Sequence, residues 1–176
     1  MNDLLRGIVV LMTVGITSLL MFSLSPGGEA RGDDGNDMMP GLTHKAWQEE
    51  CASCHLAYSP ALLPRASWTR LMGDLGHHFG ENASIDPATE ADIRRFLEAN
   101  AADSGRSRTG SRVMRRMQPN ETPLRITETA WFVRKHDEVS RTIWSRKSVK
   151  SAANCAACHR QAEQGVFNER DIRIPN

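Results

Sequence analysis

Two five-residue stretches constrain this chain more than anything else in it: Cys51-Ala52-Ser53-Cys54-His55 and Cys155-Ala156-Ala157-Cys158-His159. Together they hold all four cysteines of the 176 residues, and a histidine directly follows each pair. C-x-x-C-H is the attachment pattern of haem c, and the spacing has a chemical reason. Two thiols three positions apart can add to the two vinyl groups on one edge of a porphyrin. The next side chain then places a neutral imidazole, a good ligand for haem iron, beneath the metal. A thioredoxin-like redox pair needs one C-x-x-C beside a strand-helix unit. A zinc site with four thiolates and a pair of disulfides both leave the two histidines unexplained. The motifs therefore predict two covalent haems c, with Cys51, Cys54, Cys155 and Cys158 as attachment residues and His55 and His159 as iron ligands.

The first 30 residues differ in kind from the rest. Arg6 precedes an apolar run from Gly7 to Leu24, and small residues at Gly28 and Ala30 fit a signal-peptidase site after Ala30. The run is 18 residues long, so a retained membrane anchor is the alternative. Either way residues 31 onward lie outside the cytoplasm, and the expected location is the periplasm. The formal net charge is +1, which gives no case for nucleic acid. Membrane contact is expected only through an electron donor or an uncleaved N-terminal anchor.

The remaining chain reads as all-α. Residues 31–40 form a linker of Gly, Asp and Asn ending at Pro40. Residues 41–105 make an N-terminal lobe for one haem and residues 106–176 a C-terminal lobe for the other, each a small helical unit with extensive loops. A helix starting near Thr43 or His44 carries Trp47 into the first attachment site. Pro60 and Pro64 break regular structure after it, the apolar residues between them make a buried loop, and Tyr58 before the first proline and Leu62 between the two are placed to touch haem. Ser67 is expected to cap a helix starting at Trp68, with Trp68, Leu71, Met72, Leu75 and Phe79 on one apolar stripe and Gly80 as its end. Trp68 and Leu71 are expected to line the haem. Asp86 and Pro87 start a further helix, with Ile93, Phe96 and Leu97 on its inner face. Beyond residue 105, Thr127 or Thr129 caps a helix through Trp131, Phe132 and Val133 to His136, and Phe132 is placed to touch the second haem.

Four histidines remain as possible sixth ligands: His44, His77, His78 and His136. On a helix from Trp68 with about 100° per residue, His78 falls beside Leu71 and His77 opposite Trp68. His78 is therefore the better ligand for the first haem. His136, the spare histidine of the C-terminal half, shares a face with Phe132 and is the natural sixth ligand of the second. His44 either reaches a haem or packs. Methionine ligation, by Met72 at one haem and Met114 or Met117 at the other, would raise the potential.

With these stretches read, the chain resembles the bacterial dihaem cytochrome c family. The likeness runs through Trp47-Gln48-Glu49-Glu50 and the first attachment site to Pro60, then Leu62-Leu63-Pro64 and Ser67-Trp68-Thr69-Arg70-Leu71-Met72. It continues with His78-Phe79-Gly80-Glu81-Asn82-Ala83 and Leu97-Glu98-Ala99-Asn100-Ala101-Ala102. In the C-terminal half it takes in Arg125-Ile126-Thr127-Glu128-Thr129, Phe132-Val133-Arg134-Lys135-His136 and the second site. The resemblance implies a periplasmic electron carrier, not an enzyme, with bis-histidine haems ligated by His55 with His78 and by His159 with His136. It further implies a membrane cytochrome b as donor and a small oxygen-binding haem protein as acceptor. The rival is a haem peroxidase or a gas-binding sensor, either of which needs one iron with an open position. Charge is unevenly spread. Residues 103–150 carry 12 basic and 5 acidic side chains, residues 31–102 carry 6 and 11. A basic patch of Arg112, Arg115, Arg116, Arg134, Lys135 and Lys147 is expected to steer an acidic partner.

Overall fold

The computed structural model describes residues 43–176. The signal or anchor segment and the linker at 31–40 lie outside the described residues. The described residues belong to one compact unit. It is all-α, as the sequence predicts. Six short helices are joined by seven 3-10 turns, and among the described residues there are no strands beyond two isolated bridges, His78 to Glu81 and His159 to Ile172. No helix among the described residues is long and apolar enough to cross a membrane.

The helices are α1 (Lys45–Cys51), α2 (Arg65–Met72), α3 (Pro87–Ala99), α4 (Arg108–Met114), α5 (Ala130–Lys135) and α6 (Arg141–Trp144). Apart from the 13 residues of α3, none exceeds 8. Helices this short are marginal alone and depend on tertiary contacts. Their caps are local where the sequence suggests it. Asp86 accepts from Ala88 and Thr89 at the start of α3, and Thr129 accepts from the Phe132 N–H at the start of α5.

The expectation for α2 is corrected. The helix begins at Arg65, with Pro64 at its N-cap, and Ser67 is a fully buried helical residue whose hydroxyl finds no partner among the described residues. The free N–H of Arg65 instead donates to Asp103 at 2.9 Å, a cap from 38 residues away. The helix also stops early. Gly73 is its C-cap, a 3-10 turn follows at Leu75–His77, and His78 and Phe79 lie outside any helix. Two glycines in four residues, Gly73 and Gly76, weaken a helix by about 1 kcal/mol each. The apolar stripe ends with the helix, and Phe79 is 45% exposed.

The main core joins Trp47 of α1, Leu63, Trp68 and Met72 of α2, and Ile93 and Leu97 of α3, closed by Ala101. Each large apolar side chain fully buried here contributes about 1.5–3 kcal/mol. His44 helps hold it. Its Nδ1 accepts from the Trp47 N–H at 3.1 Å, its Nε2 lies 3.1 Å from Asp92, and its ring stacks on Phe96 at 4.5 Å. A second cluster crosses the sequence halves. Ala61 and Leu62 pack with Ile126, Trp131 and Phe167. Helix α4 lies on the 3-10 turns at Pro60–Leu62 and Ala102–Ser104.

Candidate functional site

The first site forms at the end of α1. Cys51 is its last residue, and the chain turns through Ala52 and Ser53 to bring out Cys54 and His55. His55 Nδ1 lies 2.7 Å from the Leu56 carbonyl. A carbonyl only accepts, so that nitrogen carries the proton and Nε2 keeps its lone pair for a metal. Facing it is His78, with ring centroids 6.1 Å apart and planes at 22°. His78 is set by a tight turn closed by Glu81 N–H to His78 carbonyl at 3.1 Å. The turn residues are Phe79 at φ 54° and Gly80 at φ 101°. A phenylalanine in the left-handed region is uncommon. Its ring sits edge-on to His78 at 4.9 Å and beneath the Arg125 guanidinium at 4.1 Å. His77 turns outward, 86% exposed, with Nδ1 2.7 Å from Asp74.

The second site has the same parts on different scaffolding. Cys155–Ala157 is a 3-10 turn, and His159 N–H donates to the Cys155 carbonyl at 2.8 Å. His136 is the C-cap of α5. Its Nδ1 lies 2.9 Å from the Phe132 carbonyl, which again leaves Nε2 free. His136 and His159 have centroids 6.2 Å apart, with planes at 81°. Phe132 stacks on His136 at 4.0 Å and Trp144 tilts over it at 5.8 Å, while Phe167 meets His159 edge-on at 5.2 Å.

These separations suit one iron between two rings. With each nitrogen about 2.0–2.1 Å from a metal and about 1.1 Å from its ring centre, facing imidazoles have centroids about 6.2–6.4 Å apart. Burial holds His78, His136 and His159 below the usual imidazole range, with the neighbouring His55 and Arg125 adding to the effect at His78. The neutral ring is the form that binds metal. The Nδ1 atoms of His78 and His159 are buried without a protein partner among the described residues. Such atoms are exceptional in folded proteins.

No disulfide joins any two of the four cysteines. Burial pushes Cys51 and Cys155 up to about 11, away from the activated thiolate of a redox pair. A tetrahedral metal site needs converging ligands, and among the described residues no three His, Cys, Asp or Glu side chains gather to hold a bare ion.

Of the aromatic and aliphatic residues predicted to contact haem, Tyr58 stacks on His55 at 4.9 Å and Phe132 on His136. Trp68 and Leu71 belong to the main core, where the Trp68 indole N–H donates to the Pro60 carbonyl at 2.8 Å. Met72 lies in the same cluster. Phe167, Trp144 and Arg125 were not legible from periodicity: Trp144 and Phe167 each return to a histidine eight residues earlier after the chain has turned, and Arg125 meets Phe79 from a distant segment.

Two C-x-x-C-H segments, each opposed by a second imidazole on an all-α frame, define a c-type cytochrome with two haems. The comparisons make this particular. The family model for dihaem cytochrome c matches residues 47–167, and the chain belongs to that family. It is 49% identical to the diheme cytochrome c of Rhodobacter sphaeroides, with a TM-score of 0.66 over 72% of this chain and 98% of that one. A second structure from that organism gives 47% identity and a TM-score of 0.58 over the same shares. A diheme c-type cytochrome of Shewanella baltica gives 37%, with a TM-score of 0.62 over 75% of this chain and 93% of that one. None of the curated proteins compared with the chain matches it. The protein carries two covalently bound haems c and functions in electron transfer.

Proposed function

We propose that this chain is a periplasmic relay for single electrons, with both haem irons closed to substrate. His55 and His78 hold one iron and His159 and His136 the other, while Cys51, Cys54, Cys155 and Cys158 supply the thioether bonds. Bound haem contributes an iron that cycles between ferrous and ferric by one electron. Residues 41–105 serve one haem and residues 106–176 the other. The observation that carries this reading is the pair of facing imidazoles, 6.1 and 6.2 Å apart. Two strong ligands leave no open position, so neither peroxide nor a gas is accommodated without losing one. No general acid, base or nucleophile is needed.

The chain's own residues keep that coordination unchanged through a redox cycle. Leu56 and Phe132 carbonyls fix the rings of His55 and His136, and a ligand set that does not move costs little reorganisation. We assign a membrane cytochrome b as donor and a small oxygen-binding haem protein as acceptor. The support is the sequence likeness to the family and the basic surplus of residues 103–150. Intact mass together with the ferrous spectrum under carbon monoxide tests the reading. Two haem additions per chain and a spectrum unmoved by carbon monoxide are expected. A ferrous carbon monoxide complex at one haem would overturn the relay in favour of a peroxidase or sensor.

A further inference from the structure

Tyr58, the chain's single tyrosine, touches both haem sites. Its ring lies nearly parallel to the His55 imidazole, with centroids 4.9 Å apart and planes at 21°. Its hydroxyl donates to the Ala153 carbonyl at 2.7 Å, across 95 positions of sequence. That same carbonyl accepts the Cys155 N–H at 3.0 Å and lies 3.6 Å from the Cys155 sulfur. A connected path thus runs from the His55 ring through the Tyr58 ring and hydroxyl to the Ala153 carbonyl and the Cys155 backbone. One end is an iron ligand of the first site, the other an attachment residue of the second.

We propose that Tyr58 is the polypeptide bridge for electron transfer between the two haem sites. The inference rests on the assignment of both sites given above. Electronic coupling decays less steeply through covalent and hydrogen bonds than through empty space. The route through Tyr58 is made of one ring stack, one short hydrogen bond and covalent bonds. The step moves one electron and no proton. The ferrous site is oxidised, the ferric site is reduced, and Tyr58 ends with the same electrons and the same hydroxyl proton it began with.

Two variants separate the ring from the hydrogen bond. Tyr58→Phe keeps the stack on His55 and removes the donor to Ala153, and Tyr58→Leu removes both. In the holo protein, inter-haem transfer is followed after rapid one-electron reduction by a small photoreductant. Both haem potentials are measured in parallel by spectroelectrochemistry, and spin states by electron paramagnetic resonance. Tyr58→Phe is expected to slow inter-haem transfer several-fold, and Tyr58→Leu further, with potentials and low-spin signals retained. Wild-type transfer rates in Tyr58→Phe at matched driving force would overturn the bridge and leave a purely structural tie, visible only as lower thermal stability. Should Tyr58→Leu not mature, Tyr58→Phe alone decides. A wild-type protein lacking two low-spin haems would overturn the site assignment instead, so the two failures are told apart.

Discussion

Gly110→Ala sets two known effects against each other, and the structure decides the sign. In α4 the change replaces a poor helix former by the best one, a gain of about 1 kcal/mol. A Cβ at Gly110 would lie 2.6 Å from the Ala102 carbonyl oxygen and 2.9 Å from the Ala102 Cα, where ordinary contact begins at 3.4 Å. These are backbone atoms, so no side chain can swing aside. The Ala102 backbone is also pinned, since its N–H donates to the Leu63 carbonyl at 2.9 Å and the next residue, Asp103, accepts from Arg65 at 2.9 Å. Overpacking of a tight contact costs about 1–3 kcal/mol, and three Ala102 backbone atoms at 2.6, 2.9 and 3.1 Å put this contact in the upper part of that range, about 2–3 kcal/mol. The net expectation is a loss of about 1–2 kcal/mol, or roughly 3–8 °C in Tm for a chain of this size. Guanidinium unfolding of the holo protein, followed by far-ultraviolet circular dichroism, measures it. Gly76→Ala is the control, because its Cβ would meet only the Ser84 hydroxyl at 3.7 Å. It should stay within about 0.5 kcal/mol of wild type. A Gly110→Ala protein as stable as wild type or more so would refute the close approach of α4 to the Ala102–Ser104 turn.

Phe79 is held at φ 54°, a strain of about 1 kcal/mol or more that glycine relieves and alanine does not. Phe79→Gly should therefore be more stable than Phe79→Ala, although both lose the Arg125 contact; the reverse order in denaturant midpoints would remove the strain argument. Hydrogen bonds from Thr89 and Ala88 hold the Asp86 carboxyl below the usual carboxylate range. A depressed folded value means that its stabilisation is present above the unfolded value of about 4. It is lost as pH falls through the lower folded value. The stability gap between wild type and Asp86→Ala should shrink in acid, and a gap that widens there would contradict the cap. The basic surplus of residues 103–150 predicts that electron transfer with an acidic redox protein slows as salt rises. Charge reversal at Arg115 and Arg116 should slow it further while leaving reduction by a small neutral reductant unchanged, and stopped-flow rates that ignore both changes would remove the patch.

The two C-x-x-C-H motifs stood out in the sequence because covalent chemistry fixes residue type and spacing over five positions. The start of α3 was legible for the same kind of reason, since Asp86 and Pro87 act on their own neighbours. Sequence reasoning selected His78 over His77 through a helix that is absent there, and the structure nonetheless turns His78 toward His55 and His77 toward Asp74. His78 keeps that side despite the break in the helix, because the tight turn through Phe79 and Gly80 closes on its own carbonyl and holds it facing His55. What stayed hidden depends on distant segments meeting. Asp103 caps α2, Tyr58 reaches Ala153, Phe167 meets both His159 and the Ala61–Leu62 cluster, and no local period encodes such contacts. His44, weighed as a ligand, is instead a cap whose two nitrogens engage Trp47 and Asp92.

Electron paramagnetic resonance of the ferric holo protein tests the two ligand pairs most directly, because the signal depends on how the imidazole planes are set. Nearly parallel planes, as in His55 and His78 at 22°, split the iron dπ orbitals and give a rhombic low-spin signal. Nearly perpendicular planes, as in His136 and His159 at 81°, leave those orbitals close in energy and give a strongly anisotropic one. The wild-type protein should show both signals in equal amounts and no high-spin iron. His78→Ala should remove the rhombic signal alone and His136→Ala the anisotropic signal alone, each replaced by high-spin iron, while His77→Ala changes neither. High-spin iron in the wild type, or a His77→Ala protein that loses the rhombic signal while His78→Ala keeps it, would contradict the account.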